Sequence, residues 1–182
     1  MTVRSFRPYA APLALALALA GCTTPVAPPC PPVYILSDAK DITKYRPGPG
    51  HDLTDVLVHA EIVGFHGDCT YKKLEKDDKQ TGWDVNLTLQ VIIEARRGPA
   101  NATRKADLTY FVAIPHFYPS DQAKAEFPVS IQFPEGTDTV RTTDDPVNLT
   151  IPVGTKDLID KYEVYLGFQT TPEELERNRK EK

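Results

Sequence analysis

The sequence predicts an all-β protein, an antiparallel β-sandwich of about seven to nine strands followed by one short C-terminal helix. Three observations carry this. Apolar residues recur at period two in run after run, the spacing of a strand with one buried face. Clusters of Gly, Pro and Asp separate the runs at turn-like intervals. Seventeen prolines and a single Met in 182 residues leave little sequence that could form long periodic helices.

The first run places Val56, Val58 and Ala60 on one face, ahead of Ile62 and Val63. The second is the longest: Trp83, Val85, Leu87, Leu89, Val91 and Ile93 form an unbroken stripe, with Asn86, Thr88 and Gln90 opposite. Leu108, Tyr110, Val112 and Ile114 repeat the alternation, followed by Phe127, Val129, Ile131 and Phe133. Val147, Leu149 and Ile151 give a further strand, and Tyr162, Val164, Leu166 and Phe168 the last. Turn chemistry is expected at Gly67-Asp68, Lys79 to Gly82, Gly98-Pro99, Pro134 to Gly136, Asp144 to Pro146 and Pro152 to Gly154. Short antiparallel strands with one apolar face each bury it by stacking two sheets, as in immunoglobulin-like and fibronectin-like sandwiches; a closed barrel is the other arrangement. Pro115, Pro128 and Pro152 confine their segments to strand ends or sheet edges. At the carboxyl end, Thr171, Pro172 and Glu174 read as a helix start. The strongly charged stretch behind them, with its lone Leu175, is expected to fray beyond two turns.

The amino terminus has a different character. Arg4 and Arg7 precede an apolar run from Ala10 to Ala20, which ends in the small residues Ala20 and Gly21 before Cys22. That is the architecture of an export signal, and the run is roughly half the length needed to span a bilayer. The stretch Leu19-Ala20-Gly21-Cys22 resembles the lipobox of bacterial lipoproteins. The resemblance implies cleavage before Cys22, a diacylglyceryl group on its thiol and acylation of the new amine. Several acyl chains hold a protein durably where one is marginal, because each buried methylene adds about 0.8 kcal/mol. Thr23 stands where an Asp tends to retain enteric lipoproteins in the inner membrane, which favours the outer membrane, periplasmic face. Residues 1–21 are thus a removable signal, 22–32 a lipidated cysteine and tether, and 33–182 the folded domain.

The tether, TTPVAPPCPP, has five prolines in ten residues and reads as an extended polyproline-type spacer that lifts the domain about 20 to 30 Å. Once Cys22 is acylated, Cys30 and Cys69 remain as an even pair in an oxidising compartment, and a disulfide is the natural assignment. A redox or metal pair is the competing account, but the sequence has no CxxC.

Of 21 basic and 25 acidic residues, Arg4 and Arg7 leave with the signal, so the mature charge is −6. Such a balance has nothing to draw the chain onto nucleic acid or anionic headgroups, and membrane association falls to the lipid. His51, His59, His66 and His116 lack metal-site spacing; His59 and His66, seven apart, would face opposite ways on a regular strand. No nucleophile elbow or phosphate loop is present, and no catalytic residue, metal or cofactor is assigned. The candidates that remain are for partner binding: the basic turn Arg96-Arg97-Gly98-Pro99, and the aromatics Phe111, Phe117 and Tyr118. Phe111 cannot share a core layer with Tyr110 and could contribute to an exposed apolar patch.

Lipobox, Pro-rich leader, the GDC and RGPA turns, the FVAIP strand and the LGFQTTPEEL end together resemble small envelope lipoproteins of proteobacteria. The resemblance brings no catalytic residues with it. The first expectation is a non-enzymatic envelope lipoprotein that binds another protein or supports envelope assembly through its sheet edges or aromatic patch. A small-ligand or metal carrier using His59, His66 or His116 is the alternative, with an envelope hydrolase third.

Overall fold

The computed structural model describes residues 26–180. The signal, Cys22, Thr23 and the first residues of the tether lie outside the described residues.

The strongest alternating stripe forms the longest regular strand pair. β3 (Val56–Lys76) and β4 (Lys79–Arg97) run antiparallel over almost their whole length. Trp83, Val85, Leu87, Leu89, Val91, Ile93 and Ala95 all point into the core from β4, none more than 9% exposed. Fully burying a Leu or Ile side chain contributes about 1.5–3 kcal/mol, so this stripe is a principal source of fold stability.

The expected turn at Gly67-Asp68 does not exist, because β3 continues through it. The expected turn at Lys79–Gly82 is displaced to Asp77-Asp78, whose φ values of 51° and 57° supply the left-handed pair that a two-residue hairpin demands.

Two bulges flank β4 at one level. The register of β3 slips between Ile62 and Gly64, opposite Ile93 and Ile92, leaving Val63 as the extra residue. Across β4, β7 (Thr139–Thr143) pairs from Ile92 to Arg96, and β8 (Val147–Gly154) pairs from Gly82 to Leu89. Asp144 to Pro146 is therefore a bulge in what is otherwise one strand along β4, although the sequence suggests a turn there. Each bulge changes which parity faces inward: Val58, Ala60 and Ile62 before Val63 but Cys69 after it, and Val140 before Asp144 but Val147, Ile151 and Val153 after it. Pro152, which the sequence places in a turn, lies within β8 instead. β2 (Asp41–Tyr45) completes this sheet on the far side of β3.

The second sheet has the order β1 (Val33–Ile35), β9 (Val164–Phe168), β5 (Lys105–Ala113), β6 (Lys124–Gln132). The β1–β9 pairing is parallel, and the other pairings in this sheet are antiparallel. Leu108, Tyr110, Val112, Val129, Ile131, Val164, Leu166 and Phe168 face the first sheet across a shared core. The described residues form a two-sheet, nine-strand sandwich, as the sequence predicts. Tyr162 belongs to a 3-10 turn (Ile159–Tyr162) and not to the last strand.

Free edges are guarded. Pro128 sits mid-strand in the edge strand β6 and Pro152 in the edge strand β8, where the missing N–H removes a donor from the outward row. The β2 edge is approached by α1 (Pro172–Lys180). Both halves of the capping box form there: the Glu174 amide donates to Thr171 Oγ1 at 3.2 Å, and the Thr171 amide donates to Glu174 Oε2 at 2.8 Å. The helix persists to Lys180 because it is docked. Asn178 Nδ2 donates to the carbonyls of Asp38 and Asp41 at 3.0 and 2.8 Å, and Arg177 lies 5.2 Å from the Tyr45 ring centre.

The disulfide joins Cys30 to Cys69, with Cα atoms 5.9 Å apart. The described part of the proline-rich segment is no free spacer. Ala27 packs against the core and Pro31 is buried, so the chain is already attached to the sandwich five residues beyond Cys22.

Candidate functional site

A cavity of about 560 Å³ opens at the end of the sandwich where β2 finishes and β3 and β5 begin. Val58 and Ala106, both buried, form its floor, and Leu57, Ala100 and Ala102 add apolar wall. Lys44, Lys105 and Asp107 stand at its margins.

The wall is made by the β4–β5 connection, and the reason it folds as it does starts at Gly98. A Cβ there would fall inside contact distance of the Val56 carbonyl oxygen, so only glycine lets the chain pass this close. The passage is fixed by the Gly98 amide donating to Leu57 O at 2.9 Å and the Ala100 amide donating to Val56 O at 3.0 Å.

Asn101, 3% exposed, then organises the loop from within. Its Nδ2 donates to Lys105 O at 2.9 Å, while its Oδ1 accepts from the Arg104 amide at 2.9 Å and from Thr103 Oγ1 at 3.1 Å. Arg104 adopts a left-handed φ of 55° and anchors its guanidinium on Phe133 O at 3.0 Å and Thr137 O at 2.7 Å. Arg97 closes the frame, with Nη1 donating to Asn101 O and Nε to Asp138 Oδ1, both at 2.7 Å. The guanidinium of Arg97 holds the Asp138 carboxyl below its ordinary value. Lys44, part of the pocket lining, donates from Nζ to Glu174 Oε1 on α1 at 2.8 Å.

The polar atoms of the loop are thus spent on its own construction, and an apolar, preformed hollow remains, whose rim charges are offset: Lys44 is paired with Glu174, and Lys105 shares the margin with Asp107. Such a hollow has the form of a site for an apolar group. Thr103 Oγ1 is engaged with Asn101 Oδ1.

The residues singled out from sequence are distributed over the surface. Arg97 abuts the pocket as part of its frame, whereas the Arg96 side chain is 69% exposed on the outer face beside Glu94. Phe111 lies half-buried on the outer face of β5, with Lys124 Nζ 4.9 Å from its ring centre. Phe117 belongs to a ring cluster with Tyr162 at 5.9 Å, in which His116 lies 4.6 Å from Tyr162. Tyr118 is 82% exposed. The aromatic run therefore does not form one patch with the basic turn.

The bulge at Val63 puts His59 and His66 on the same outer face, where a regular strand would oppose them. They are about 20 Å apart by strand rise and cannot share an ion. His59 Nδ1 is hydrogen-bonded to Thr43 Oγ1 at 2.9 Å. Among the described residues no group of three or more His, Cys, Asp or Glu could hold a metal, and no helix is long and apolar enough to cross a membrane.

Leu57, Asn101 and Lys105 are not among the partner-binding candidates that the sequence offers. The one signal for them is the Gly-Pro-Ala-Asn run after a long strand, which marks a tight connection whose asparagine has backbone groups to satisfy.

No protein-family model, curated protein or solved structure matches the chain.

Proposed function

We propose that the protein is a lipid-anchored binding module of a bacterial envelope, held by acylated Cys22 on the periplasmic face of the outer membrane, without catalytic chemistry of its own. The observation that carries this reading is the partition of the cysteines. Cys30 and Cys69 are joined, which suits an oxidising compartment, and Cys22 stands apart at the end of a lipobox. Thr23 supports the outer membrane over the inner. Binding is supported by the apolar pocket, which suits an envelope protein that offers an apolar side chain.

The test has two parts. Protein purified from envelopes should begin at Cys22 with added acyl mass, and Cys22→Ser should release it from membranes; retention of residues 1–21, or unchanged sedimentation of the Ser variant, overturns the anchor. A photo-crosslinking side chain at Lys105 should give a discrete adduct in cells that Ala102→Trp, obstructing the mouth, abolishes. An adduct unaffected by that obstruction rejects the pocket.

Small-ligand carriage is a second reading, favoured by a volume that falls in the range of small-molecule sites. Native mass spectrometry would then show a bound mass, and Ala102→Trp would remove it.

A further inference from the structure

Position 22 and the folded body are joined by very little chain. Val26 is the first described residue, Ala27 packs on the core, and the Cys30–Cys69 bond fixes this segment to β3. Four fully extended residues span at most about 14 Å. Whatever holds Cys22 therefore lies within that reach of Val26, and this end of the sandwich cannot stand clear of it.

The surface at this end is built for such proximity. Val26 and Leu158 are 89% and 69% exposed, and they share a cleft of about 260 Å³ with Pro28, Trp83 and Ile159. Trp83 meets Tyr71 edge-on at 6.4 Å, and Lys73 Nζ lies 6.0 Å from the Trp83 ring centre. Lys156 and Lys161 flank Leu158 in sequence and are exposed, alternating with exposed Asp157, which also lines the cleft, and Asp160; Lys161 lies 4.0 Å from Asp157, so the loop has no net charge. Projecting aliphatic side chains with aromatic rings behind them are the composition that the boundary between headgroups and acyl chains selects. The first sheet extends the other way: from Cys69 back to Val58 at the pocket floor is about 35 Å of strand.

We infer that this end of the sandwich is a membrane-docking surface, in which Val26 and Leu158 enter the headgroup boundary of the bilayer that holds the Cys22 lipid, so that the pocket opens away from the membrane. The inference rests on the anchor proposed above. The lipid supplies attachment, and the docking surface supplies orientation: a body held by one flexible point would tumble, whereas a second contact fixes which end faces outward.

The test uses the full lipidated protein in vesicles of phosphatidylethanolamine and phosphatidylglycerol, with a nitroxide on Leu158→Cys and, as control, on Thr88→Cys on the outer face of β4. On the vesicles, the ratio of oxygen to nickel-chelate accessibility at 158 should rise by about threefold or more over the unlipidated Cys22→Ser form, with no change at 88. Protein that floats with the vesicles while 158 stays as open to the chelate as in the Ser form overturns the docking and leaves the anchor standing. Protein that carries no acyl mass and does not float overturns both. Val26→Asp combined with Leu158→Asp should preserve flotation and abolish amide protection over residues 153–162 on vesicles; protection that survives the two charges counts against the surface.

Discussion

The hydroxyl of Tyr110 in β5 donates to Asp144 Oδ2 at 2.8 Å, bridging the two sheets at the bulge that separates β7 from β8. The bulge turns Asp144 towards the core level, and Tyr110, with no exposed surface, meets it from the facing sheet while stacking on Phe127 at 5.4 Å. Burial, reinforced by the Asp144 carboxylate, pushes the phenol's ionisation above its ordinary value. For a group whose folded value is raised, the stabilisation is complete below the unfolded value, about pH 10, and is lost as pH climbs through the folded value. Tyr110→Phe should cost about 1 kcal/mol at neutral pH, and its deficit relative to the parent should shrink above about pH 10. Urea midpoints at both pH values decide; equal midpoints at neutral pH would mean the bond contributes nothing.

The Cys30–Cys69 bond closes a sequence separation of 39 residues and holds the amino-terminal segment on β3. On the chain-entropy account, closing a loop of that size is worth about 4 kcal/mol. The double variant Cys30→Ser/Cys69→Ser should lose about that much in denaturant titration and expose the bonds around Pro28 to protease before global unfolding. Protease resistance unchanged from the parent would show that packing of Ala27 and Pro31 alone holds the segment.

Legibility in the sequence follows from where regular alternation operates. β4 is readable because an uninterrupted stripe from Trp83 to Ala95 meets one core throughout. β3 is readable only as far as Ile62 and Val63, because Val63 shifts the inward parity and the half from His66 to Lys76 carries few apolar residues on either side. Gly67-Asp68 imitates a turn there, yet pairing with Leu89 and Thr88 keeps it extended. β7 escapes notice because TVRTT has one apolar residue, and its place is decided by β4 alone. The pocket is invisible to any local pattern, since it joins residues 44–58 to residues 100–107 only after the sheets stack. The capping box at Thr171 and Glu174, a purely local device, is fully readable.

The hairpin tip is strained in a way that can be relieved. Asp77 and Asp78 both adopt positive φ, which residues with a Cβ resist, and two adjacent carboxylates repel. Asp77→Asn with Asp78→Gly should raise stability by about 0.5–1 kcal/mol without altering the fold, as a small upward shift in thermal midpoint. A decrease would mean that the acidic pair makes compensating contacts with Lys76 or Lys79.

Gly98 should tolerate no side chain. Its Cβ position is occupied by the Val56 carbonyl, so Gly98→Ala must separate β3 from the start of the β4–β5 connection. A cost of about 2–3 kcal/mol is expected, in the range of overpacked sites. Gly136, at φ 77° with open space around its Cβ position, provides the contrast: Gly136→Ala should cost only its backbone strain, about 1 kcal/mol. Parallel denaturation curves for the two variants test the order, and equal losses would remove the steric argument for Gly98.

Glu174 links the helix, the β2 edge and the pocket. Burial works to raise its pKa but is outweighed by the Lys44 ammonium and the Thr171 amide, which bring the carboxyl below its ordinary value. A depressed carboxylate stabilises the fold above its unfolded value, near pH 4.3, and that contribution is lost as pH falls through the folded value. Below about pH 4, α1 should therefore undock ahead of the sandwich, seen as faster amide exchange from Leu175 to Lys180. Glu174→Gln retains an acceptor for the Thr171 amide but not the ion pair, so it should cost about 1 kcal/mol at neutral pH and flatten the acid response of the helix. It should also leave the Lys44 ammonium unpaired beside the pocket, strengthening the binding of an anionic apolar probe such as anilinonaphthalene sulfonate by about two- to fivefold. If probe binding is unchanged while the helix loosens, Lys44 serves the helix alone and its charge does not act on the pocket.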